Sequence, residues 1–215
     1  MIATKKHVIF DMDGTLSDTA KATTGALNET GKQYGLPPVS NDEVRSAMGY
    51  ADPEFFYKLY PGHPHDILNE IRYIVNDLED KMIEIIGKEI LFTGVFDLLN
   101  DLSEKGYKLY IASTGSTIHV KTTLQSGGIE HLFTGVYSNE PVKINMVKEI
   151  IHDKNKDECL MIGDMIKDSE AAKTNGILAL GAAFGYLSPE DHSLFDAVLY
   201  KPDDLYQYLY EDEVI

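Results

Sequence analysis

The amino-acid sequence predicts an α/β protein, a doubly wound parallel sheet (a Rossmann-like core) interrupted by a helical insertion, and three observations carry that prediction. Short apolar runs rich in β-branched and aromatic residues recur at 7–10, 108–112, 135–138, 159–162, 177–184 and 197–200. Helix-length segments separate the later runs, the alternation that builds a parallel sheet covered on both faces. Residues 11 to 107 break this rhythm, with no convincing strand and long helical periodicity. Structureless connections beyond about 15 residues are uncommon, so this excursion reads as a small helical domain set above the sheet.

In chain order, the first strand is His7-Val-Ile-Phe10. Residues 19 to 35 read as a helix closed by Gly35, after which Leu36-Pro37-Pro38 forces an extended exit. Ser40 opens a second helix to Met48 as its cap, with Glu43 three residues on completing a capping box. From Asp66 to Ile86 the residues Ile67, Ile71, Ile74, Leu78, Met82 and Ile85 fall at spacings of three and four, an amphipathic helix. Gly106, Gly127, Gly128 and Gly176 stand just before strands, where glycine closes a helix in a left-handed cap. The acidic, tyrosine-rich tail from Tyr206 to Ile215 is expected to form a terminal helix on the core.

Composition excludes several function classes. The 215 residues suit one domain, or one domain carrying a smaller insertion. A formal charge of -16 repels polyanions and leaves no basic stripe, so nucleic acid is not an expected partner. No apolar run approaches the roughly 18 to 20 residues that cross a bilayer, and Met1 to Lys6 lack a secretory pattern. A soluble, cytoplasmic protein without membrane contact is expected, as a monomer or small homo-oligomer. Cys159, the single cysteine, sits in an apolar run and reads as a buried hydrophobe. His63-Pro-His65 reads as a polar turn and not as a metal pair.

Ligands of open α/β sheets gather at the carboxyl ends of the strands. After the first run come Asp11, Asp13, Gly14 and Thr15; after the second, Ser113, Thr114, Gly115 and Ser116. Lys143 follows the third, and Gly163, Asp164 and Asp168 follow the fourth. A carboxylate can attack phosphorus and divide a slow hydrolysis into two steps. At about 4 Å and an effective dielectric near 20, one phosphate charge opposes that attack by roughly 4 kcal/mol, so cations must offset it. Asp11 and Asp164 can hold a hard divalent ion, Lys143 adds a second positive charge, and Ser113 with the amides after it can donate to phosphate oxygens. Asp13 is placed to protonate a leaving alkoxide and later to activate water. Asp168, one helical turn beyond Asp164, is expected to orient Lys143 or a metal-bound water.

These clusters together resemble the haloacid dehalogenase superfamily over essentially the whole chain. Asp11-Met-Asp13-Gly-Thr-Leu is similar to its first motif, Ile111-Ala-Ser113-Thr to the second, Lys143 to the third, and Gly163-Asp164-Met-Ile-Lys-Asp168 to the fourth. The third is atypical, because Lys143 follows Glu140-Pro141-Val142 instead of opening a Lys-Pro pair, and Lys148 lies nearby. The resemblance implies Asp11 as nucleophile, Asp13 as acid and base, and Mg²⁺ on Asp11, the Asp13 carbonyl and Asp164. It also implies an inserted α-helical cap at residues 17–91, with 1–16 and 92–215 forming the catalytic core.

The same resemblance, strongest to phosphoglycolate phosphatases and their nucleotidase and pyrophosphatase relatives, implies a Mg²⁺-dependent phosphatase acting on a small phosphorylated metabolite. The second motif-one aspartate, Asp13, argues against carbon-halogen chemistry. A sugar-phosphate mutase (beta-phosphoglucomutase-like) or an inorganic pyrophosphatase is the alternative within the superfamily, although Thr23 stands where mutases often carry a cap-hinge histidine. A receiver-like phospho-Asp signalling domain, which shares the chemistry, lacks such an insertion. Arg45 and Arg72, the chain's arginines, both lie in the insertion. Arg45, ahead of Gly49, is the candidate to bind a substrate carboxylate or second phosphate, since a guanidinium suits either.

Overall fold

The structure, a computed structural model, describes residues 2–3, 5–48, 50 and 53–211. Its strands are β1 (Ile2–Ala3), β2 (His7–Phe10), β3 (Lys108–Ala112), β4 (Phe133–Tyr137), β5 (Cys159–Gly163), β6 (Leu178–Ala182), β7 (Ala197–Leu199) and β8 (Tyr210–Glu211). Strands β2 to β7 form one parallel sheet in the order β4-β3-β2-β5-β6-β7. The chain therefore runs outward on one side of β2 and then returns to run outward on the other. That reversal opens a crevice at the carboxyl ends of β2 and β5.

The helices are α1 (Ala20–Tyr34), α2 (Asn41–Ala47), α3 (Glu54–Leu59), α4 (His65–Ile86), α5 (Val95–Glu104), α6 (Thr117–Gly127), α7 (Lys143–Ile151), α8 (Ile166–Asn175) and the short α9 (Tyr206–Leu209). Strand β2 shows why the runs are continuously apolar: Val8 and Phe10 pack with α5 and α6 on one face, while Ile9 packs with α7 and α8 on the other. Cys159 belongs to the second layer, and burial pushes its thiol up to about 11, consistent with an inert hydrophobe. Helices α1 to α4 carry a hydrophobic cluster of their own, including Leu27, Val44, Phe56, Leu68 and Ile71. The Ser40 and Glu43 capping box forms as expected, each side chain bonding the other's backbone N–H.

The chain leaves the core and re-enters it side by side. Asp18 N donates to Ile90 O at 2.7 Å, Phe92 N donates to Leu16 O at 3.0 Å, and Ser17 bridges Leu91.

Two expectations differ from what is observed, and one helix was not expected. Gly128, not Gly127, is the left-handed cap of α6, because Gly127 still belongs to the helix. The tail does not continue as a helix: α9 stops at Leu209, and Tyr210–Glu211 pairs antiparallel with Ile2–Ala3, with residues 212–215 outside the described residues. Helix α3 carries no cap signal, its cap position being Pro53, which the sequence pattern did not mark. His65 is the first residue of α4 and stacks on Tyr57 at 3.8 Å, so the His63 and His65 pair is spent on packing. No described helix is long and apolar enough to cross a membrane.

Candidate active site

Parallel register brings the predicted residues to one level. Phe10 aligns with Ile111 of β3 and Ile162 of β5, so Asp11, Ser113 and Asp164 all emerge at the same edge. Asp11 N still donates to Ile162 O at 2.9 Å, which fixes its side chain at the strand end. The turn beyond requires glycine: Gly14 has φ 80°, and a Cβ there would lie 2.4 Å from Asp164 Oδ2.

The floor of the site is a buried charge cluster. Carboxylate oxygens of Asp11, Asp164 and Asp168 lie within 4.8 Å of one another. Lys143, the first residue of α7, places Nζ 2.7 Å from Asp11 Oδ1 and also donates to Asp168 Oδ1. Lys148, the other lysine of that segment, is exposed. Asp168 has a second task, since its Oδ2 accepts from the backbone N–H of Asp164 (3.1 Å) and Met165 (2.9 Å) and so sets the turn after β5. Thr15 Oγ1 donates to Asp164 Oδ1 at 2.8 Å.

Burial, then the neighbouring Asp168, raises the Asp11 carboxyl to about 6 against the pull of Lys143. Burial and the charges of Asp11 and Asp168 hold Asp164 well above the usual carboxylate range. Burial opposes the Lys143 charge, but Asp11 and Asp168 outweigh it and keep the amine protonated. Three buried carboxylates against one ammonium leave an excess of hard oxygen donors, a set that suits a divalent cation.

Asp13 points elsewhere. Its Oδ1 meets His119 Nε2 at 3.1 Å, and His119 Nδ1 meets Asp80 Oδ1 of α4 at 3.2 Å. Burial works against both charges, yet each offsets it for the other: Asp13 is lowered below the usual carboxylate range and His119 raised well above the usual imidazole value. Both are therefore charged, and a carboxylate–imidazolium–carboxylate chain joins the sheet edge to the insertion. His119 sits in the first turn of α6 because Ser116 Oγ caps that helix by accepting from His119 N at 3.1 Å. Sequence reading passed over it, although a cap three residues upstream marks it as a first-turn residue at the strand ends. Glu79 was missed too, despite occupying the four-residue ladder Ile71, Val75, Glu79, Ile83, where a carboxylate interrupts an apolar stripe.

Ser113, Thr114 and Gly115 form the turn before α6. Gly115 N donates to Ser113 Oγ at 3.1 Å, and Lys167 Nζ lies 3.5 Å from Thr114 Oγ1. Above them lies a cavity of about 450 Å³. Asp11, Asp13, Ser113, Thr114, Gly115 and Asp164 line its floor, and Phe55, Phe56, Val75, Asn76, Glu79 and Asp80 of the insertion line its roof. Arg45 is not brought to this cavity. Its guanidinium grips Asp18, Nε lying 3.2 Å from Oδ1 with a second, shorter bond to Oδ2, and it sits 5.9 Å from the Tyr186 ring centre. Gly49 lies outside the described residues.

A doubly wound sheet that gathers paired aspartates, a lysine and a hydroxyl-bearing turn at its carboxyl edge, under a helical roof, is the arrangement of an α/β hydrolase. The chain belongs to the haloacid dehalogenase-like hydrolases, whose family model matches residues 8–182. Among curated proteins it is 28% identical to the phosphoglycolate phosphatase of Vibrio cholerae over 195 residues, 84% of this chain and 85% of that one. It is 27% identical to pyrophosphatase PpaX of Listeria innocua over 219 residues, 96% of this chain and 97% of the relative. Among solved structures, the haloacid dehalogenase-like hydrolase SP0104 of Streptococcus pneumoniae superposes with a TM-score of 0.79 at 26% identity, covering 96% of this chain and 99% of that one. The beta-phosphoglucomutase of Clostridium difficile shares the fold, with a TM-score of 0.68 at 17% identity and 95% of each chain covered.

Proposed function

We propose that the protein is a Mg²⁺-dependent phosphatase of small phosphorylated metabolites that works through an aspartyl phosphate. The observation that carries this reading is the cluster of Asp11, Asp164 and Asp168 around the Lys143 ammonium, 2.7 Å from Asp11, at the floor of a capped cavity. Asp11 attacks phosphorus, the bond to the leaving oxygen breaks, and Asp13 relays to that oxygen the proton held on His119 Nε2, 3.1 Å from Asp13 Oδ1. Asp13, again a carboxylate, takes a proton from water, which attacks the phosphoryl group on Asp11 and releases inorganic phosphate. Ser113, Thr114 and Gly115 hold the phosphate oxygens and Lys143 balances the Asp11 charge, while Asp168 keeps Lys143 in place. Asp11, the Asp13 carbonyl and Asp164 would hold Mg²⁺, which when bound supplies the positive charge that lets a carboxylate approach a phosphate. Residues 17–91 act as the cap on a core of 1–16 and 92–215, with the paired crossings at Leu16 to Asp18 and Ile90 to Phe92 as their hinge.

The test is phosphate release from a panel of phosphomonoesters and pyrophosphate, with Mg²⁺ and with chelator, by wild type and Asp11→Asn. Release that needs both Mg²⁺ and Asp11 is expected. Equal release by Asp11→Asn, or none from any compound by wild type, rejects the reading, and an isomerised sugar phosphate in place of free phosphate redirects it to a mutase.

A further inference from the structure

The roof of the cavity has a chemistry that differs from what the named relatives' substrates require. Glycolate and phosphate leaving groups are anions, and their recognition calls for a guanidinium or ammonium facing the bound leaving group. Among the described residues, no lysine or arginine of the insertion lines the cavity. Arg45 is committed to Asp18, and Tyr186 reinforces that pair by donating to Asp18 Oδ1 at 2.7 Å. Lys58 stands over the ring of Tyr50, 5.6 Å from its centre, without lining the cavity itself, and Lys167 lines it near Thr114.

What the roof does offer is acceptors. Glu79 uses one carboxylate oxygen to accept from Thr23, and Asp80 uses one to meet His119, which leaves each with a second oxygen; the Asn76 amide lies one turn away. Phe55, Phe56 and Val75 complete the wall with apolar surface. Lys167 lines the cavity beside Thr114, and among the described residues next to the roof carboxylates His119 is the one cation, with both of its nitrogens occupied by Asp13 and Asp80.

We infer that the leaving group accepted under this roof presents hydrogen-bond donors, a hydroxyl or an ammonium, on a partly apolar body, and carries no carboxylate or second phosphate. The inference rests on the phosphatase reading for its use of the floor. Its physical content is that a negative charge beside Asp80, and beside Glu79, whose carboxyl burial raises above the usual range, is disfavoured in a partly buried site, while a donor satisfies their free oxygens.

Three esters of similar size isolate the roof: phosphoglycolate, 2-hydroxyethyl phosphate and phosphoethanolamine, in which the carbon beyond the first methylene is a carboxylate or carries a hydroxyl or an ammonium. We expect kcat/KM for the hydroxyl and ammonium esters to exceed that for phosphoglycolate by about tenfold or more. Asn76→Lys, on an exposed helix position, is expected to reverse part of that gap, and Glu79→Gln to lower the ammonium ester most. Phosphoglycolate or pyrophosphate equal to or above the other two overturns the inference. Should no compound release phosphate, p-nitrophenyl phosphate included, the phosphatase reading fails by itself. Calorimetric affinities of the three esters for Asp11→Asn then decide the inference without turnover: weakest binding by the carboxylate ester supports it, and strongest or equal binding overturns it.

Discussion

The floor and the roof of the cavity are built on opposite plans. Asp11, Lys143, Asp164 and Asp168 are 6%, 3%, 2% and 1% exposed, and the side-chain contacts of Lys143 and Asp168 hold the group together. The roof side chains come from helices that pack on one another more than on the sheet, and Asp80 remains 30% exposed. A floor so closed fixes one geometry, which the proposed function gives to the phosphate, whereas a roof partly open to water can change its residues without unfolding the core. On the proposed function, the difference teaches that reaction and substrate are encoded in separate places, joined by the Asp13, His119 and Asp80 chain.

The severest break of the floor is Asp11→Asn, which should lower kcat by about a thousandfold or more, since in the proposed mechanism it replaces the attacking carboxylate by a non-nucleophilic amide of the same volume. Next is Lys143→Met. It leaves Asp11, Asp164 and Asp168 buried without their cation, and should cost about 3 kcal/mol of stability along with activity. Denaturant unfolding measures the first and initial rates the second, and added Mg²⁺ should recover part of the stability but not the rate. A Lys143→Met protein as stable as wild type in chelator would mean that the three carboxylates are protonated at neutral pH.

His119→Gln tests the joint between the two plans. It should lower kcat about tenfold with KM nearly unchanged, and shift the pH profile, because Asp13 loses the imidazolium that holds it charged and oriented. A lower melting temperature with unaltered kcat would reduce His119 to a tie between α6 and α4.

The metal-free floor should also respond to pH. The Asp11 carboxyl is raised from 3.8 in the unfolded chain to about 6, and Asp164 is raised as well. The folded state therefore binds more protons between these values, and stability contributed by the protonated carboxyls is lost as pH rises through about 6. Mg²⁺ needs the ionised groups, so its stabilisation should be large above pH 7, about 2.7 kcal/mol at a hundredfold excess over Kd, and small near pH 5. Melting curves with Mg²⁺ and with chelator at both pH values check this.

Legibility in the sequence follows the same division. The central strands were readable because both faces of the sheet are covered there, which makes those runs continuously apolar, and the floor residues because Asp11 and Asp164 stand at the ends of such runs with Lys143 and Asp168 a few residues beyond. Helices α1, α2 and α4 announced themselves through Gly35, the Ser40 box and a regular stripe. Helix α3 has only six residues and no capping side chain, too little for periodicity to register. His119 and Asp80 meet through the packing of α6 on α4, a contact between segments distant in the chain that no local pattern encodes. Arg45 shows the converse: residue type suggested a substrate anion, but folding brings a buried carboxylate of the same chain within reach first.

That last contact gives the smallest effect and the sharpest reading of the roof. In Arg45→Ala, Asp18 keeps the Tyr186 hydroxyl at 2.7 Å and Lys21 at 3.5 Å, so the carboxylate is not stranded. The guanidinium side chain is itself 38% exposed, and solvent screening limits the loss to about 1 kcal/mol. Burial opposes the Asp18 charge, but the Arg45 and Tyr186 hydrogen bonds outweigh it and lower the carboxyl, so their contribution is present above about pH 4 and is lost as pH falls. The wild-type and Arg45→Ala melting temperatures should accordingly converge in acid. KM for phosphoglycolate should change less than about threefold, because a guanidinium bound twice to Asp18 must break that pair before it can reach a second carboxylate. A tenfold rise in that KM with melting unchanged would mean that Arg45 does make the exchange, and the roof would then be a receptor for anions.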